Sequence, residues 1–361
     1  DIKTIPVSVP LIKPFKAAYG TRETADFVII KIETDQGLVG IGESATIPIY
    51  DEGSQASVVY SVERYFKPLL LGEDPREIGK IHEKMNKAIK GERYAKSGID
   101  YALYDLTAKY YNIPVFQLLG GYKQDVQVTA VFSASNSEEL LEEAVRKKEE
   151  GYQVFKLKVG TDHAEDLERV RLLRDVLGSD VQLRLDGNEA WRGKEALQKI
   201  KDFAPYEPVH IEQPVPGSDI DGLQWLRDHS PIPIVIDESV TTVEDTFRVL
   251  KTVKGDILNI KTARSGGLFP SLKMAAIAES AGIAPLLGSM LELGIGTVAN
   301  AHFYTALTGT SLACELVGPQ FIIQDIIVED LQYKNGHLIL PPGPGLGVNL
   351  DEDVIHEFSA K

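Results

Sequence analysis

The spacing of apolar residues changes repeatedly along the chain, which predicts short strands separated by amphipathic helices. From residue 126 onward, strands are predicted at 126–132, 153–159, 181–186, 209–212, 233–237, 257–261, 284–288 and 312–316. Helices are predicted between them, for example at 138–150, 163–177, 241–254 and 268–281. Glycine follows several helices, and the intervals that begin at Gly151, Gly255 and Gly282 are each 27 residues long. A βα unit of about 25 residues repeated around eight times predicts a (β/α) barrel, with a doubly wound open sheet as the alternative.

The first part of the chain has a different organisation. Two strands are predicted at 27–33 and 38–41, on either side of a turn at Gly37, and helices follow at 54–71, 76–90 and 94–111. A few strands followed by a run of helices indicate an α+β unit. After residue 320 the βα repeat stops, and the Pro/Gly-rich run 341–347 indicates a return to the first domain. The predicted division of the chain is therefore 1–121, 122–320 and 321–361.

Composition and charge narrow the function classes. The chain has 361 residues, of which 38 are Lys or Arg and 53 are Asp or Glu, so its net charge is −15. Such an acidic chain has no electrostatic footprint for nucleic acid or for an anionic membrane. No apolar run reaches the roughly 18 residues of a membrane span, no signal-peptide pattern is visible, and Cys314 is the only cysteine. We therefore expect a cytoplasmic protein without internal disulfides.

Three carboxylates stand at equivalent places in the βα repeat. Asp186, Glu212 and Asp237 each end a predicted strand, and the intervals between them are 26 and 25 residues. Because the ends of the strands meet at one mouth of a barrel, we expect these side chains to converge. Three carboxylates within a few ångströms cannot all stay ionised without a cation, and an all-oxygen ligand set favours Mg²⁺, with Mn²⁺ as the second choice. The alternative is that each acid separately caps the following helix or is solvated.

Three lysines complete the candidate site. Lys156 and Lys158 are two residues apart on a strand, so their side chains point to one side, which the intervening apolar residues indicate is the barrel interior. Lys261 ends the sixth predicted strand. A neighbouring ammonium and a divalent cation would lower the pKa of a lysine and make it a usable base near pH 7. The alternative for the first two lysines is a solvated strand face.

This arrangement indicates one reaction class and one family. A metal ion between two lysines would take the oxygens of a substrate carboxylate and stabilise the charge that develops when the α-proton leaves. The sequence resembles the muconate lactonizing enzyme subgroup of the enolase superfamily, and the resemblance covers nearly the whole chain. The motifs that carry it are Lys156-Leu-Lys158, Arg184-Leu-Asp186-Gly-Asn188, Ile211-Glu212-Gln-Pro214, Asp237-Glu238-Ser239, Ile260-Lys261, Ser265-Gly-Gly267, Met290-Leu-Glu292 and Gly294-Ile-Gly296.

The resemblance implies an α/β fold class, a modified TIM barrel (β/α)₇β with an N-terminal α+β capping domain. It implies that the three carboxylates hold Mg²⁺. It also implies that Lys158 and Lys261 are acid/base groups on opposite faces of the substrate, with Lys156 near the substrate carboxylate. Finally, the resemblance implies a homo-oligomer that acts on a small-molecule carboxylate.

The subgroup hosts several reactions, and the shared motifs do not choose among them. A muconate-type cycloisomerase with Lys158 donating the α-proton is the favoured interpretation, because 290–292 and 314–319 are most similar to those enzymes. The alternative is a racemase or epimerase of N-acylated amino acids or dipeptides that uses Lys158 and Lys261 in turn. Dipeptide epimerases usually carry Asp-x-Asp after strand eight, whereas this chain has Cys-Glu-Leu at 314–316.

Residues around the mouth are expected to select the substrate. The predicted loops 18–25 and 45–54 should lie over the mouth, where Arg22 could bind a distal carboxylate, although solvated side chains are the alternative. The predicted substrate-binding residues are Arg22, Tyr50, Asn188, Glu238 and Glu292. Glu189 stands where cycloisomerases usually carry glutamine, and its charge is unhelpful for a dianionic substrate unless it points away.

Two other function classes are weaker alternatives. A Schiff-base aldolase also uses a lysine inside a barrel, but its chemistry does not need three carboxylates. A non-catalytic binding protein of this fold would be expected to lose the lysines, and all three are present.

Overall fold

The protein is described from a computed structural model that covers residues 1–18, 20–122, 126–132 and 136–359. The strands are β1 (Ile2–Ala17), β2 (Gly20–Glu33), β3 (Val39–Ala45), β4 (Val126–Gln127), β5 (Ala130–Phe132), β6 (Val154–Lys158), β7 (Gln182–Asp186), β8 (His210–Glu212), β9 (Ile234–Ile236), β10 (Ile257–Ile260), β11 (Ala284–Leu287), β12 (Tyr333–Lys334) and β13 (His337–Leu338). The helices are α1 (Gln55–Ser61), α2 (Lys67–Leu70), α3 (Ile78–Ala88), α4 (Arg93–Tyr111), α5 (Val115–Leu118), α6 (Ser137–Glu149), α7 (His163–Leu177), α8 (Gly193–Phe203), α9 (Ile220–His229), α10 (Val243–Thr252), α11 (Thr262–Ser265), α12 (Leu268–Ser280), α13 (Gly294–Ala306) and α14 (Glu352–Phe358). Within these described ranges, no helix combines the length and apolarity needed to cross a bilayer.

Strands β1, β2 and β3 form an antiparallel sheet in the first domain. The two predicted strands around the Gly37 turn are confirmed as β2 and β3. Strand β1 was not predicted, because Pro6, Pro10 and Pro14 interrupt its pattern. Proline lacks the N–H that a central strand donates, and β1 tolerates three prolines because it lies at the edge of the sheet.

Helix α4 packs across this sheet and forms the centre of the first domain. Its side chains are buried continuously from Tyr94 to Ala108. A Cβ atom at Gly42 would overlap the carbonyl oxygen of Gly98 on this helix. Glycine on β3 therefore allows the helix backbone to approach the sheet closely.

Strands β5 to β11 form one parallel sheet in which the order of strands follows the chain. This arrangement and the intervening helices confirm the predicted βα repeat. The register aligns Lys158 with Asp186 and Asp186 with Glu212, so these side chains point to the same side of the sheet. Gly282 follows α12 with a φ of 72°, as a helix-terminating glycine should, whereas Gly255 is not in the left-handed region and α10 ends three residues before it.

The last predicted strand forms only an isolated bridge, but it closes the sheet. The backbone N–H of Thr129 donates to the Cys314 carbonyl at 2.8 Å, and the Cys314 N–H donates to Gln127 at 2.8 Å. On the other side, the Glu315 N–H donates to the Leu287 carbonyl at 3.1 Å. The segment therefore bonds to residues 127–129, directly before the edge strand β5, and to the other edge strand β11, and the open-sheet alternative is wrong.

Carboxylates of the first domain cap two barrel helices. Glu43 on β3 accepts the N–H groups of Leu293 and Gly296, at 2.9 and 2.8 Å, where α13 begins. Asp100 on α4 accepts the N–H of Leu268, the first residue of α12, at 2.5 Å. These donors have no partner within their own helix. Because such helix starts lie at the carboxyl ends of the strands, the first domain sits over that mouth of the barrel.

The C-terminal segment contacts both parts of the chain. Strands β12 and β13 form a small sheet with β4, at the start of the barrel. Helix α14 lies beside the first domain, where Ser359 bridges to Val7 and Glu352 pairs with Lys31 at 2.7 Å. The division at residues 121 and 320 stays a prediction.

Candidate active site

Three buried carboxylates come from neighbouring barrel strands. Asp186 ends β7, Glu212 ends β8 and Asp237 directly follows β9, and the solvent-exposed fraction of each is 0%. Burial, together with the charges of Asp186 and Asp237, raises the pKa of Glu212 well above its usual value. Burial also opposes ionisation of Asp186, but the charges of Lys156 and Lys158 outweigh it and lower the pKa of Asp186.

Two lysines face this cluster from opposite walls. Lys158, at the end of β6, donates to Asp186 Oδ2 at 2.6 Å. Lys261, directly after β10, donates to Asp237 Oδ2 at 2.6 Å. Strands β6 and β10 are four positions apart in the sheet. In a barrel of seven strands and one closing segment, four positions is half the circumference, so the two ammonium groups oppose each other.

The donor set fits a hard divalent cation. In the part of the chain that the structure describes, no three His, Cys, Asp or Glu side chains are already arranged as a metal cage. The carboxylates are turned toward lysine and arginine instead. Nevertheless, Asp186, Glu212 and Asp237 offer only oxygen ligands, and their mutual repulsion is strong enough to contribute to the raised pKa of Glu212. A cation among them would relieve this repulsion.

Lys156 is held by a carboxylate that the sequence interpretation did not assign to the site. Its Nζ lies 2.7 and 2.8 Å from the two oxygens of Glu315, 2.8 Å from Glu212 and 3.0 Å from Asp186. Burial alone would lower the pKa of Lys156, but these carboxylates raise it well above its usual value. Without a bound cation, these carboxylates therefore stabilise the ammonium form of Lys156, and the lowering of its pKa expected beside a divalent cation stays a prediction. The missed signal was the position of Glu315, which lies one residue before the end of the last predicted strand, 312–316, whereas the other carboxylates end theirs.

Arg264 is a second missed residue. It lies on the short helix α11, three residues after Lys261, and is buried. Its guanidinium bonds Asp237 Oδ1, donates to the Asp237 carbonyl at 3.0 Å and donates to the Tyr50 hydroxyl at 3.1 Å. Although burial opposes ionisation, Arg264 and Lys261 lower the pKa of Asp237.

Tyr50 reaches the barrel from the first domain, in the predicted loop 45–54. Its hydroxyl lies 3.0 Å from Glu238 Oε1 and accepts from Lys261 Nζ at 3.0 Å. The same ammonium lies 5.0 Å from the centre of the Tyr50 ring. This part of the first domain therefore contacts the candidate catalytic groups.

Asn188 and Glu189 follow β7 in the left-handed backbone region, with φ of 40° and 65°. The Asn188 side chain lies between Lys158, which donates to its Oδ1 at 2.9 Å, and Glu238, which accepts from its Nδ2 at 3.0 Å. Glu189 is exposed, and its carboxylate accepts the N–H of Gly217 at 2.5 Å. The negative charge of Glu189 is therefore bonded to a backbone N–H group at the surface.

The predicted loop 18–25 is the tip of the hairpin between β1 and β2, and Tyr19 lies outside the described residues. The hairpin tip reaches the barrel, since a Cβ atom at Gly160 would lie 3.7 Å from that of Ala18. Arg22 is buried, and its guanidinium lies 6.0 Å from the centre of the Phe27 ring. Its role in substrate binding stays a prediction.

Glu292 lies in the loop between β11 and α13 and is buried. Its carboxylate bonds the Ser289 hydroxyl and accepts from Asn300 Nδ2 at 3.3 Å. Burial raises its pKa, while the charge of Lys261 acts in the opposite direction. Substrate binding by Glu292 likewise stays a prediction.

Known proteins match this chain along its length. The family model described as mandelate racemase / muconate lactonizing enzyme, N-terminal domain, matches residues 1–120, and the model described as enolase C-terminal domain-like matches residues 139–354. N-succinyl-L-Arg/Lys racemase of Bacillus cereus is 35% identical, over 98% of this chain and 95% of that protein. Muconate cycloisomerase 1 of Acinetobacter baylyi is 34% identical, over 99% of this chain and 98% of that protein. L-Ala-D/L-Glu epimerase of Bacillus subtilis is 35% identical, over 96% of this chain and 95% of that protein.

The fold of this chain agrees with that of a solved structure from the same group of proteins. The crystal structure of muconate lactonizing enzyme from Pseudomonas fluorescens complexed with muconolactone has a TM-score of 0.97 and 34% identity, and the match covers 100% of this chain and 98% of that one. The relatives are cycloisomerases, racemases and epimerases that act on small molecules, in a family whose members generally use a divalent metal ion. The chain therefore belongs to the mandelate racemase / muconate lactonizing enzyme family of the enolase superfamily and is an isomerase.

Proposed function

We propose that this isomerase performs enolate chemistry at the carbon α to a substrate carboxylate, most like a muconate-type cycloisomerase. The observation that carries the proposal is the opposed pair Lys158 and Lys261, each buried and each 2.6 Å from a carboxylate of the mouth. Two such groups can give a proton to, or take a proton from, either face of a planar carbon held between them.

In this proposal, Asp186, Glu212 and Asp237 hold Mg²⁺, with Mn²⁺ as the second choice. The bound cation would supply Lewis-acid stabilisation of the negative charge that develops on the substrate carboxylate. Lys156, fixed by Glu315, would place a further positive charge near that carboxylate. The burial of these groups keeps water away and strengthens each interaction.

For a muconate-type substrate, the distal carboxylate oxygen forms a C–O bond to the alkene, and the electron pair of the alkene moves to the α-carbon. Lys158 then donates its proton to that carbon, and the lactone results. Lys261 stays on the opposite face without transferring a proton. Arg22 is the candidate partner of the distal carboxylate, as the sequence predicts.

The second candidate is a racemase of N-acylated amino acids. The observation that favours it is the matched environment of the two lysines. Each lysine donates to a carboxylate at 2.6 Å and to one neutral oxygen, Asn188 Oδ1 at 2.9 Å or the Tyr50 hydroxyl at 3.0 Å. A two-base reaction needs such a pair, because one lysine removes the α-proton from one face and the other lysine donates a proton to the opposite face.

A substrate panel with Mg²⁺ in D₂O tests both candidates. The panel contains cis,cis-muconate, N-succinyl amino acids of both configurations and dipeptides. Loss of diene absorbance with formation of a lactone supports the cycloisomerase, whereas deuterium at the α-carbon with inversion supports the racemase. Lys158→Ala should lower either activity by about 10²–10⁴-fold. Lys147→Ala is the control and should not, because Lys147 lies on α6 and pairs with Glu150. No conversion and no exchange on the whole panel would count against the proposal.

Two expectations accompany this function. The habit of the family suggests a homo-oligomer, which light scattering coupled to size-exclusion chromatography tests. A cytoplasmic location stays a prediction from the composition, and fractionation of the source cells tests it.

A further inference from the structure

Three residues connect the two opposed lysines. We propose that Asn188, Glu238 and Tyr50, together named the lysine bridge, are positioning residues, and that Asn188 positions Lys158 while Tyr50 positions Lys261. The inference rests on the proposed function, in which both lysines exchange protons with substrate. Its consequence is that the two faces of the site respond separately to mutation.

The bridge consists of four hydrogen bonds in sequence. Lys158 Nζ donates to Asn188 Oδ1 at 2.9 Å, and Asn188 Nδ2 donates to Glu238 Oε1 at 3.0 Å. The Tyr50 hydroxyl donates to the same Oε1 at 3.0 Å, and Lys261 Nζ donates to the Tyr50 hydroxyl at 3.0 Å. One carboxylate oxygen thus anchors the partners of both lysines.

The chemistry of the partners determines the direction of each bond around Asn188. An ammonium group only donates, so it requires the amide oxygen of Asn188. Burial and the charge of Asp237 raise the pKa of Glu238 to about 7, but Glu238 Oε1 accepts from Asn188 Nδ2 in either protonation state, because an amide nitrogen only donates. The amide must therefore turn its oxygen to Lys158 and its nitrogen to Glu238. The reverse orientation would place the amide N–H groups against the ammonium and the amide oxygen against the carboxylate.

The Tyr50 hydroxyl has one hydrogen and two carboxylates within reach. Glu238 Oε1 is at 3.0 Å and Asp237 Oδ2 is at 3.4 Å, so the shorter contact identifies Glu238 as the acceptor. The hydroxyl oxygen is then available to accept from Lys261 and from Arg264. All of its hydrogen-bonding capacity is used, and its position follows from these partners.

Each lysine also donates to one carboxylate at 2.6 Å, and one hydrogen bond alone does not set the direction of an ammonium group. A second acceptor removes that freedom. For Lys158 the second acceptor is Asn188 of the barrel, and for Lys261 it is Tyr50 of the first domain. Misplacement of a reacting group by about 1 Å can cost on the order of 100-fold in rate.

Chemical labelling tests the positioning without any substrate. The Mg²⁺-loaded protein and its variants are treated with acetic anhydride at one pH, and acetylation of each lysine is followed by mass spectrometry. We expect Tyr50→Phe to raise acetylation of Lys261 several-fold while Lys158 stays unchanged, and Asn188→Ala to do the reverse. Tyr94→Phe is the matched control, because it removes a buried hydroxyl of the same domain that bonds Asp51 at 3.0 Å. Equal changes at both lysines, or none, would overturn the bridge.

Proton exchange tests the functional consequence. Deuterium uptake at the α-carbon is measured separately for N-succinyl-L-arginine and N-succinyl-D-arginine. We expect Tyr50→Phe to lower the rate of α-proton exchange for one enantiomer by up to about 100-fold more than for the other, and Asn188→Ala to show the opposite preference. A merely structural role would slow both enantiomers equally, and that result contradicts the proposal. Absence of exchange in the unmodified protein would count against the racemase, and the labelling result would still decide the bridge.

Discussion

The substitution Glu315→Gln tests whether an unanticipated carboxylate holds Lys156 in place. The exposed fraction of the Lys156 side chain is 1% and that of Glu315 is 7%, so the pair is shielded from solvent. Both Glu315 oxygens lie within 2.8 Å of the ammonium. Glutamine keeps one acceptor oxygen but removes the charge and turns an amide nitrogen toward the ammonium.

The expected loss of stability lies between two limits. Loss of a hydrogen bond to a charged group costs about 1.5–3 kcal/mol. Complete loss of one partner of a buried ion pair costs about 3–5 kcal/mol. Because Lys156 keeps Glu212 and Asp186 as partners, the lower limit applies. We expect the free energy of unfolding to fall by about 2–3 kcal/mol.

Urea unfolding at pH 7.5 measures this difference, with the fluorescence of Trp191 and Trp225 as the probe of the barrel and circular dichroism as the probe of the whole chain. Glu150→Gln is the control, since its pair with Arg146 at 2.6 Å is at the surface, where the exposed fractions of the Arg146 and Glu150 side chains are 56% and 41%. The control should change stability by about 0–1 kcal/mol. If Glu315→Gln lowers the free energy of unfolding by no more than the control does, with an unchanged m-value, Glu315 does not hold Lys156 as described.

Three further predictions concern the two opposed lysines, the cation site and Asp325. Lys158→Ala and Lys261→Ala should each lower kcat by about 10²–10⁴-fold in the racemase assay, and an unchanged rate in either variant would contradict its acid/base role. Mg²⁺ at about 100 times its Kd should stabilise the protein by about 2.7 kcal/mol in thermal unfolding and Glu212→Gln should reduce this shift, whereas absence of a shift would contradict the metal site. Burial raises the pKa of Asp325 from 3.8 to about 6, so ionised Asp325 destabilises the fold above pH 6 and the penalty disappears as the pH falls toward 4. The stability of the unmodified protein relative to Asp325→Asn should therefore rise by up to about 3 kcal/mol over that interval in urea titrations, and a constant difference would refute the assignment.

The barrel was predictable because its signal is local and repeated. Each helix needs an apolar face and each strand an apolar run, so the βα period is visible in the order of residues alone. Strand β1 escaped prediction because three prolines break its pattern, and only its edge position in the sheet accommodates them. The closing segment was predicted as the strand 312–316, but its hydrogen-bond partners could not be identified from the sequence, because they lie far away in the chain.

The sequence by itself determined the family, the repeat and the residues at the strand ends, including Asp186, Glu212, Asp237 and the lysines, because regular spacing brings equivalent positions to one mouth. Only the tertiary structure decided what each of them contacts. Glu315 neutralises Lys156, Arg264 pairs with a predicted metal ligand, and Tyr50 crosses from the first domain to Lys261. These contacts join residues 27 to 211 positions apart, so the order of residues along the chain does not show them.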